Sequence, residues 1–175
     1  MIQGRLLKRN EIRKIWTIDR SETFENSYYL EKGQLKLKAH YFEAHGWPPD
    51  EDEKYTPVLL DCFDRGGWFY ALFDKDALIA IAVLEAKFIG REDDQLQLLF
   101  FHVSSPYRGQ GLGKRLFELA KTEALSRGAR RLYISATPTE NTIRFYLKQG
   151  CHLMVEPDPE LFALEPEDIH LECPI

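Results

Sequence analysis

An apolar run, Leu96 to Val103, passes into Pro106-Tyr107-Arg108-Gly109-Gln110-Gly111-Leu112-Gly113-Lys114-Arg115, and a strongly periodic segment leaves it. No other stretch constrains the chain as much, because it predicts a strand, a glycine turn and a helix in one unit. Three glycines on alternate positions let the backbone bend and keep side chains out of a ligand's way. The N–H groups at a helix start are unpaired and carry partial positive charge, so they hold phosphate oxygens. Arg108, Lys114 and Arg115 add positive charge. A Walker A loop, G-x-x-x-x-G-K-[ST], fits Gly113-Lys114 but meets arginine at positions 108 and 115. A dinucleotide fingerprint, G-x-G-x-x-G, fits Gly109 and Gly111 but meets Lys114 where the third glycine allows close helix–strand packing. The pattern present is R-x-x-G-x-G, Arg108 to Gly113.

A length of 175 residues suits one domain, 1–175, with a sizeable core. A net charge of -5 disfavours a nucleic-acid partner. No apolar run is long enough to span a bilayer, and Met1 to Arg5 lacks the apolar region of a signal peptide. Cys62, Cys151 and Cys173 show no paired spacing and read as reduced thiols of a cytoplasmic protein. The five histidines form no zinc pattern, and no metal is expected. Cys151-His152 reads as a buried strand cysteine beside an outward histidine.

Along the chain, Gln3 to Lys8 predicts a strand, and Asn10 predicts the N-cap of a helix running to about Asp19. Leu30 to Leu37 alternates around Gly33 and suggests a hairpin, within a segment, 21–55, whose role is open. Ala44 to Lys54 reads as a loop, and Thr56 to Asp64 as a helix ended by Gly66-Gly67. Trp68–Phe73, Ala77–Phe88 and Gln95–Val103 predict an antiparallel meander. The helix after the turn places Leu112, Leu116, Leu119, Ala120 and Ala124 on one side and ends at Gly128. Arg131 to Ala136 predicts a buried strand parallel to Gln95–Val103, because a helix intervenes. Thr139 predicts the N-cap of a helix carrying Ile143, Phe145, Tyr146 and Leu147 up to Gly150. A strand from Cys151 to Val155, a proline- and acid-rich loop and a last strand near Ile169–Glu172 follow. The class is α+β with a mixed, mostly antiparallel sheet between helical layers.

This order, the R-x-x-G-x-G turn, the run Leu98 to Val103 ending in Ser-Ser-Pro, and Asn141 to Cys151 with its F-Y-x-x-x-G core resemble the GNAT acetyltransferase superfamily. The resemblance covers nearly the whole chain and is weakest over residues 21–55. It implies that the family's fourth and fifth strands, here Gln95–Val103 and Arg131–Ala136, splay apart and admit the pantetheine arm of acetyl-coenzyme A. It implies that backbone groups of Phe101 and Val103 pair with that arm. It implies further that Gly109, Gly111, Leu112 and Gly113 hold the pyrophosphate, with Arg108 and Lys114 as counter-charges. Backbone donors can grip an anion without ordering long side chains.

The chemistry implied is direct attack of a substrate amine on the thioester, which requires loss of the ammonium proton, polarisation of the carbonyl and protonation of the thiolate. Tyr146 matches the family tyrosine that acts as general acid. The asparagine that family members carry seven residues earlier is Thr139 here, and Asn141 either takes its place at the cofactor or is a polar first-turn residue. A strand glutamate that serves some members as base corresponds to Gln97, which cannot accept the proton. His102, Glu85, Asp61, Asp64 or a water chain are the remaining bases, and His102 suits the task by its reference pKa. The resemblance implies that the acceptor is a primary amine of a small molecule or protein, and Asp50 to Glu53 beside aromatic residues would suit a cationic one. The chain is expected to be a monomer or homodimer. A fold that senses acyl-coenzyme A without turnover is the competing reading.

Overall fold

The computed structural model describes residues 1–175. In chain order the strands are β1 (Ile2–Leu6), β2 (Glu22–Glu31), β3 (Gln34–Ala44), β4 (Trp68–Asp74), β5 (Ala77–Ile89), β6 (Gln95–Val103), β7 (Arg131–Ala136), β8 (His152–Leu153) and β9 (Ile169–Pro174). The α-helices are α1 (Glu51–Asp64), α2 (Leu112–Ser126), α3 (Glu140–Lys148) and α4 (Pro159–Leu164), with 3₁₀ turns at Arg9–Thr17 and Ser105–Tyr107. The class is mixed α+β, with a seven-stranded, mostly antiparallel sheet of order β1-β4-β5-β6-β7-β9-β8 and a separate β2-β3 pair. No helix is long and apolar enough to cross a membrane.

Two compact units make up the chain. The first is Met1–Glu22 with Ala44–Lys87 and Leu98–Glu123, and the second is Thr23–Glu43 with Phe88–Gln97 and Ala124–Ile175. In the first, β1 pairs antiparallel with β4, and β4 with β5. Ile12, Ile15 and Ile18 pack with Leu59 and Cys62 of α1 against Phe69, Ile81 and Val83. The segment expected as an α-helix capped by Asn10 is a 3₁₀ helix. Its buried isoleucines recur every third residue, which matches the three residues per turn of that helix. Its start is fixed by Glu11, whose carboxylate accepts from Lys8 N at 3.1 Å and holds Arg5 at 2.7 Å.

Helix α1 begins five residues before the expected start. Glu51, Asp52 and Glu53, read as loop, form its first turn, where carboxylates meet the positive end of the helix dipole. After its end, Gly67 lies against Cys62, and a Cβ at Gly67 would sit 2.4 Å from Cys62 Sγ and 2.7 Å from the Cys62 carbonyl oxygen. Overpacking of this kind costs about 1–3 kcal/mol. Gly67→Ala is therefore expected to lower the midpoint of thermal unfolding, read by circular dichroism.

In the second unit, β6 runs parallel to β7 only through Gln95–Gln97 against Arg131–Tyr133. Strand β7 continues antiparallel to β9 from Arg131↔Pro174 to Ala136↔Ile169. Arg131 clamps this corner with bonds to Asp94 at 2.7 and 3.1 Å and to Glu172 at 3.0 Å. The hairpin β2–β3 turns at Lys32 and Gly33, both at positive φ, as a two-residue turn requires. Its base braces the start of α3. Ser27 bridges Thr139, Tyr28 N donates to the Pro138 carbonyl at 2.7 Å, and Asn26 donates to Glu140 at 2.8 Å.

Strand β8 is two residues long, shorter than the expected Cys151–Val155, and Cys151 is buried while His152 is exposed and bonds Glu172 at 2.9 Å. The proline- and acid-rich loop contains α4, which the composition concealed. Asp158 caps it by accepting from Glu160 N and Leu161 N, both at 3.0 Å, and Pro159 occupies its first turn.

Candidate active site

The turn after β6 is anchored at its entry by backbone bonds. Ser104 N donates to the Ile79 carbonyl and Ser105 N to the Asp19 carbonyl, each at 2.8 Å, while buried Ser104 Oγ accepts from Asp19 N at 3.0 Å. Gly109 and Gly111 follow with φ of 74° and 80°, left-handed values that favour glycine. The first bond into α2 runs from Arg115 N to the Gly111 carbonyl at 3.1 Å. The N–H groups of Leu112, Gly113 and Lys114 therefore stand before the helical ladder begins, at its positive end. Gly109, Gln110 and Gly111 are exposed, as are Lys114 and Arg115, so the turn offers main-chain donors and flexible cations to solvent.

Arg108 is committed to the protein backbone. Its Nε donates to the Val103 carbonyl at 2.9 Å, one terminal nitrogen donates to the Ser21 carbonyl at 3.1 Å, and Glu22 lies 3.7 Å away. Val103 is the last residue of β6, so Arg108 fixes the turn to the strand that precedes it. The Val103 oxygen retains a second lone pair for another donor.

Phe101 and Val103 share one face of β6, where Phe101 meets Phe117 of α2 at 5.8 Å between centroids. Phe100 and His102 share the other. There His102 packs edge-on to Trp47 at 4.9 Å and to Phe100 at 5.5 Å. Burial, and then the charges of Arg20 and Arg108, push its imidazole down to about 3. His102 is thus neutral at neutral pH, a hydrogen-bond acceptor of low basicity. An unfolded imidazole takes up its proton near pH 6.5. Stability tied to neutral His102 is therefore complete above pH 6.5 and is lost as pH falls from 6.5 towards 3. A thermal melt at pH 5 is expected to fall further below its pH 7.5 value in the wild type than in His102→Gln.

The other base candidates are bound by arginines or line another groove. Burial opposes ionisation of Glu85, yet Arg65 at 2.7 Å and the Ala86 N–H outweigh it and hold the carboxyl below its usual range. Asp64 is bound by Arg9 at 2.7 and 2.8 Å, which lowers its pKa. Asp61 lines an open groove with Arg9, Arg13, Asp52 and Glu53.

Tyr146 and Asn141 belong to α3 in the second unit. Thr139 stands at the N-cap, as its position predicts, although its hydroxyl donates to Thr142 Oγ1 at 2.8 Å and not to a helix N–H. Ile143 and Tyr146 face inward, Leu147 is exposed, and Asn141 is an exposed first-turn residue. Burial, with a smaller contribution from Cys151, raises the Tyr146 hydroxyl well above the ordinary phenol range, which keeps it protonated. Sequence reasoning passed over Ser104, Asp19 and Arg20. Ser104 stood in the quoted Ser-Ser-Pro, but its bond to Asp19 spans 85 positions and leaves no local pattern.

A model of the Acetyltransferase (GNAT) family matches residues 13–151. Among solved structures, a nourseothricin acetyltransferase is similar with a TM-score of 0.73 and 19% identity, covering 99% of this chain and 98% of that one. The paia N-acetyltransferase of Thermoplasma acidophilum in complex with coenzyme A is similar with a TM-score of 0.65 and 17% identity, covering 100% and 99%. The ribosomal-protein-S18-alanine N-acetyltransferase of Escherichia coli is similar with a TM-score of 0.63 and 17% identity, covering 100% and 94%. A search among curated proteins found no match.

Proposed function

Because the chain belongs to the GNAT acetyltransferase family, we propose that it moves an acetyl group from acetyl-coenzyme A to a primary amine of a small molecule or protein, in the cytoplasm, as a monomer or homodimer. The observation that carries this reading is the turn itself. Gly109 and Gly111 at positive φ, followed by three N–H groups ahead of the α2 ladder, form a receptor for a pyrophosphate. Gly109, Gly111, Leu112 and Gly113 hold the phosphates, Lys114 supplies charge from solvent, and Arg108 supplies position. Phe101 and Val103 pair with the pantetheine arm, and Asn141 contributes at the first turn of α3.

The amine nitrogen attacks the thioester carbon, the carbon–sulfur bond breaks, and the leaving sulfur takes the Tyr146 proton, which solvent restores. The ammonium proton must leave before attack. His102, with its low basicity, acts as an acceptor that passes the proton to water and does not store it. The profile of kcat/KM against pH is accordingly expected to follow the acceptor amine alone. An inflection near pH 6.5 that disappears in His102→Gln would instead assign a base of ordinary pKa.

Engagement of Glu85 and Asp64 by arginines favours one competing reading, an acyl-coenzyme A sensor without turnover. Thiol release from acetyl-coenzyme A across an amine panel separates the two. The proposal expects amine-dependent release; tight binding with no release on any amine supports the sensor.

A further inference from the structure

Asp19 to Ser21, the stretch between the 3₁₀ helix and β2, belongs to no helix or strand, yet it is bonded to the chain entering the glycine turn. Asp19 N donates to Ser104 Oγ at 3.0 Å, the Asp19 carbonyl accepts from Ser105 N at 2.8 Å, and the Ser21 carbonyl accepts from Arg108 at 3.1 Å. All of these residues lie in the first unit. Outside a helix or strand no ladder of bonds sets the direction of a carbonyl, so a nearby side chain has to do so.

The side chain that does so is Asp19 itself. Its Oδ1 accepts from Ser21 N at 2.8 Å and also from the Ser21 hydroxyl. This is the turn an aspartate makes with the backbone two residues on. With its N–H and its hydroxyl tied to one oxygen, Ser21 is held in one orientation, and its carbonyl meets the Arg108 guanidinium. Arg108 carries the effect onward, because its Nε donates to the Val103 carbonyl at 2.9 Å. Bonds from the Ser21 hydroxyl and N–H, and to a lesser degree the charge of Arg108, outweigh partial burial and hold the Asp19 carboxyl below its usual range. It is therefore ionised at neutral pH.

We propose that Asp19 is a positioning residue for coenzyme A. It sets the Ser21 carbonyl that aims Arg108, and through Arg108 it sets the Val103 carbonyl and the Gly109–Lys114 amides. This inference rests on the acetyltransferase reading and extends its cofactor site to a segment remote from the turn in sequence. An acid near an arginine can also serve as a bare counter-charge, and the two roles ask different things of position 19. Positioning needs one acceptor oxygen in one place, whereas a counter-charge needs only a negative charge nearby. Asparagine keeps the oxygen and loses the charge. Glutamate keeps the charge and moves the oxygen by one methylene.

Calorimetric titration of the full chain with coenzyme A tests this. Asp19→Ala is expected to weaken binding about fivefold and Asp19→Glu by a similar factor, whereas Asp19→Asn stays within about twofold of the wild type. Asp19→Ala combined with Arg108→Met is expected to bind no more weakly than Arg108→Met alone, because residues acting through one contact do not add. Independent effects would instead multiply, about fivefold by about tenfold. The main-chain bonds of residue 19 to Ser104 and Ser105, and the bond from the Tyr107 hydroxyl to Asp74 at 3.0 Å, remain in every variant and keep the turn attached. If Asp19→Ala nevertheless fails to fold, the asparagine and glutamate variants decide between the roles. Undiminished binding in Asp19→Ala, rescue by glutamate and not by asparagine, or a multiplied loss in the double variant would each overturn the inference. A wild-type chain that binds no coenzyme A would overturn the acetyltransferase reading together with it, whereas wild-type binding that ignores Asp19→Ala removes the inference alone.

Discussion

Replacing Tyr146 with phenylalanine is expected to lower kcat about a hundredfold, the low end of what a positioned general acid contributes. The KM for acetyl-coenzyme A should stay within about twofold, because the interaction removed is made in the transition state. The residue is buried on α3, so phenylalanine fills the same space and removes only the hydroxyl. Burial holds that hydroxyl protonated across the working pH range, the state needed by a group that gives its proton to a departing thiolate. Steady-state kinetics, with a single-turnover measurement of the chemical step, checks the outcome. An unchanged kcat would remove Tyr146 from the mechanism and leave it a core aromatic.

Arg108→Met is expected to raise the KM for acetyl-coenzyme A about tenfold with a much smaller change in kcat, since hydrogen bonds from a charged donor contribute about 1.5–3 kcal/mol. The effect comes through geometry. Arg108 ties the Val103 carbonyl to the turn and to Ser21, so its loss frees the loop that presents the Gly109–Lys114 amides. A lysine has one donor centre where the guanidinium fork reaches two carbonyls, so Arg108→Lys should recover little. A residue serving only as a counter-charge would be rescued by lysine, and the pair of variants distinguishes the two roles.

The parts of the fold legible in the sequence were those whose signals are local. Arg131 to Ala136 was readable as a strand because Leu132, Tyr133 and Ile134 form an apolar run soon after the helix-ending Gly128, and its parallel pairing with β6 follows from the intervening helix. Thr139 marked the start of α3 because proline precedes it and an acid follows it. The 3₁₀ helix was misread because isoleucines three apart also satisfy part of an α-helical stripe. The start of α1 and all of α4 were hidden by acids and prolines, which suit a first helical turn as well as a loop. The R-x-x-G-x-G turn was visible, but its anchoring was not. Arg108 to Ser21 and Ser104 to Asp19 span more than eighty positions, and such contacts exist only once the chain is folded. The packing of Trp47 on His102 is equally non-local, because the two residues come from separate segments.

Calorimetric titration of the purified chain with acetyl-coenzyme A, and with ATP and NAD as competitors, tests the central claim most directly, that the turn from Arg108 to Lys114 is a coenzyme A pyrophosphate cradle. The account predicts saturable binding of acetyl-coenzyme A that neither nucleotide displaces at equal concentration. It also predicts that Gly111→Val, which forces a branched side chain into a φ of 80°, abolishes that binding while the strain of about 1–2 kcal/mol lowers the thermal midpoint by only a few degrees. Acetyl-coenzyme A binding that persists undiminished in Gly111→Val, or that ATP or NAD displaces stoichiometrically, would contradict it.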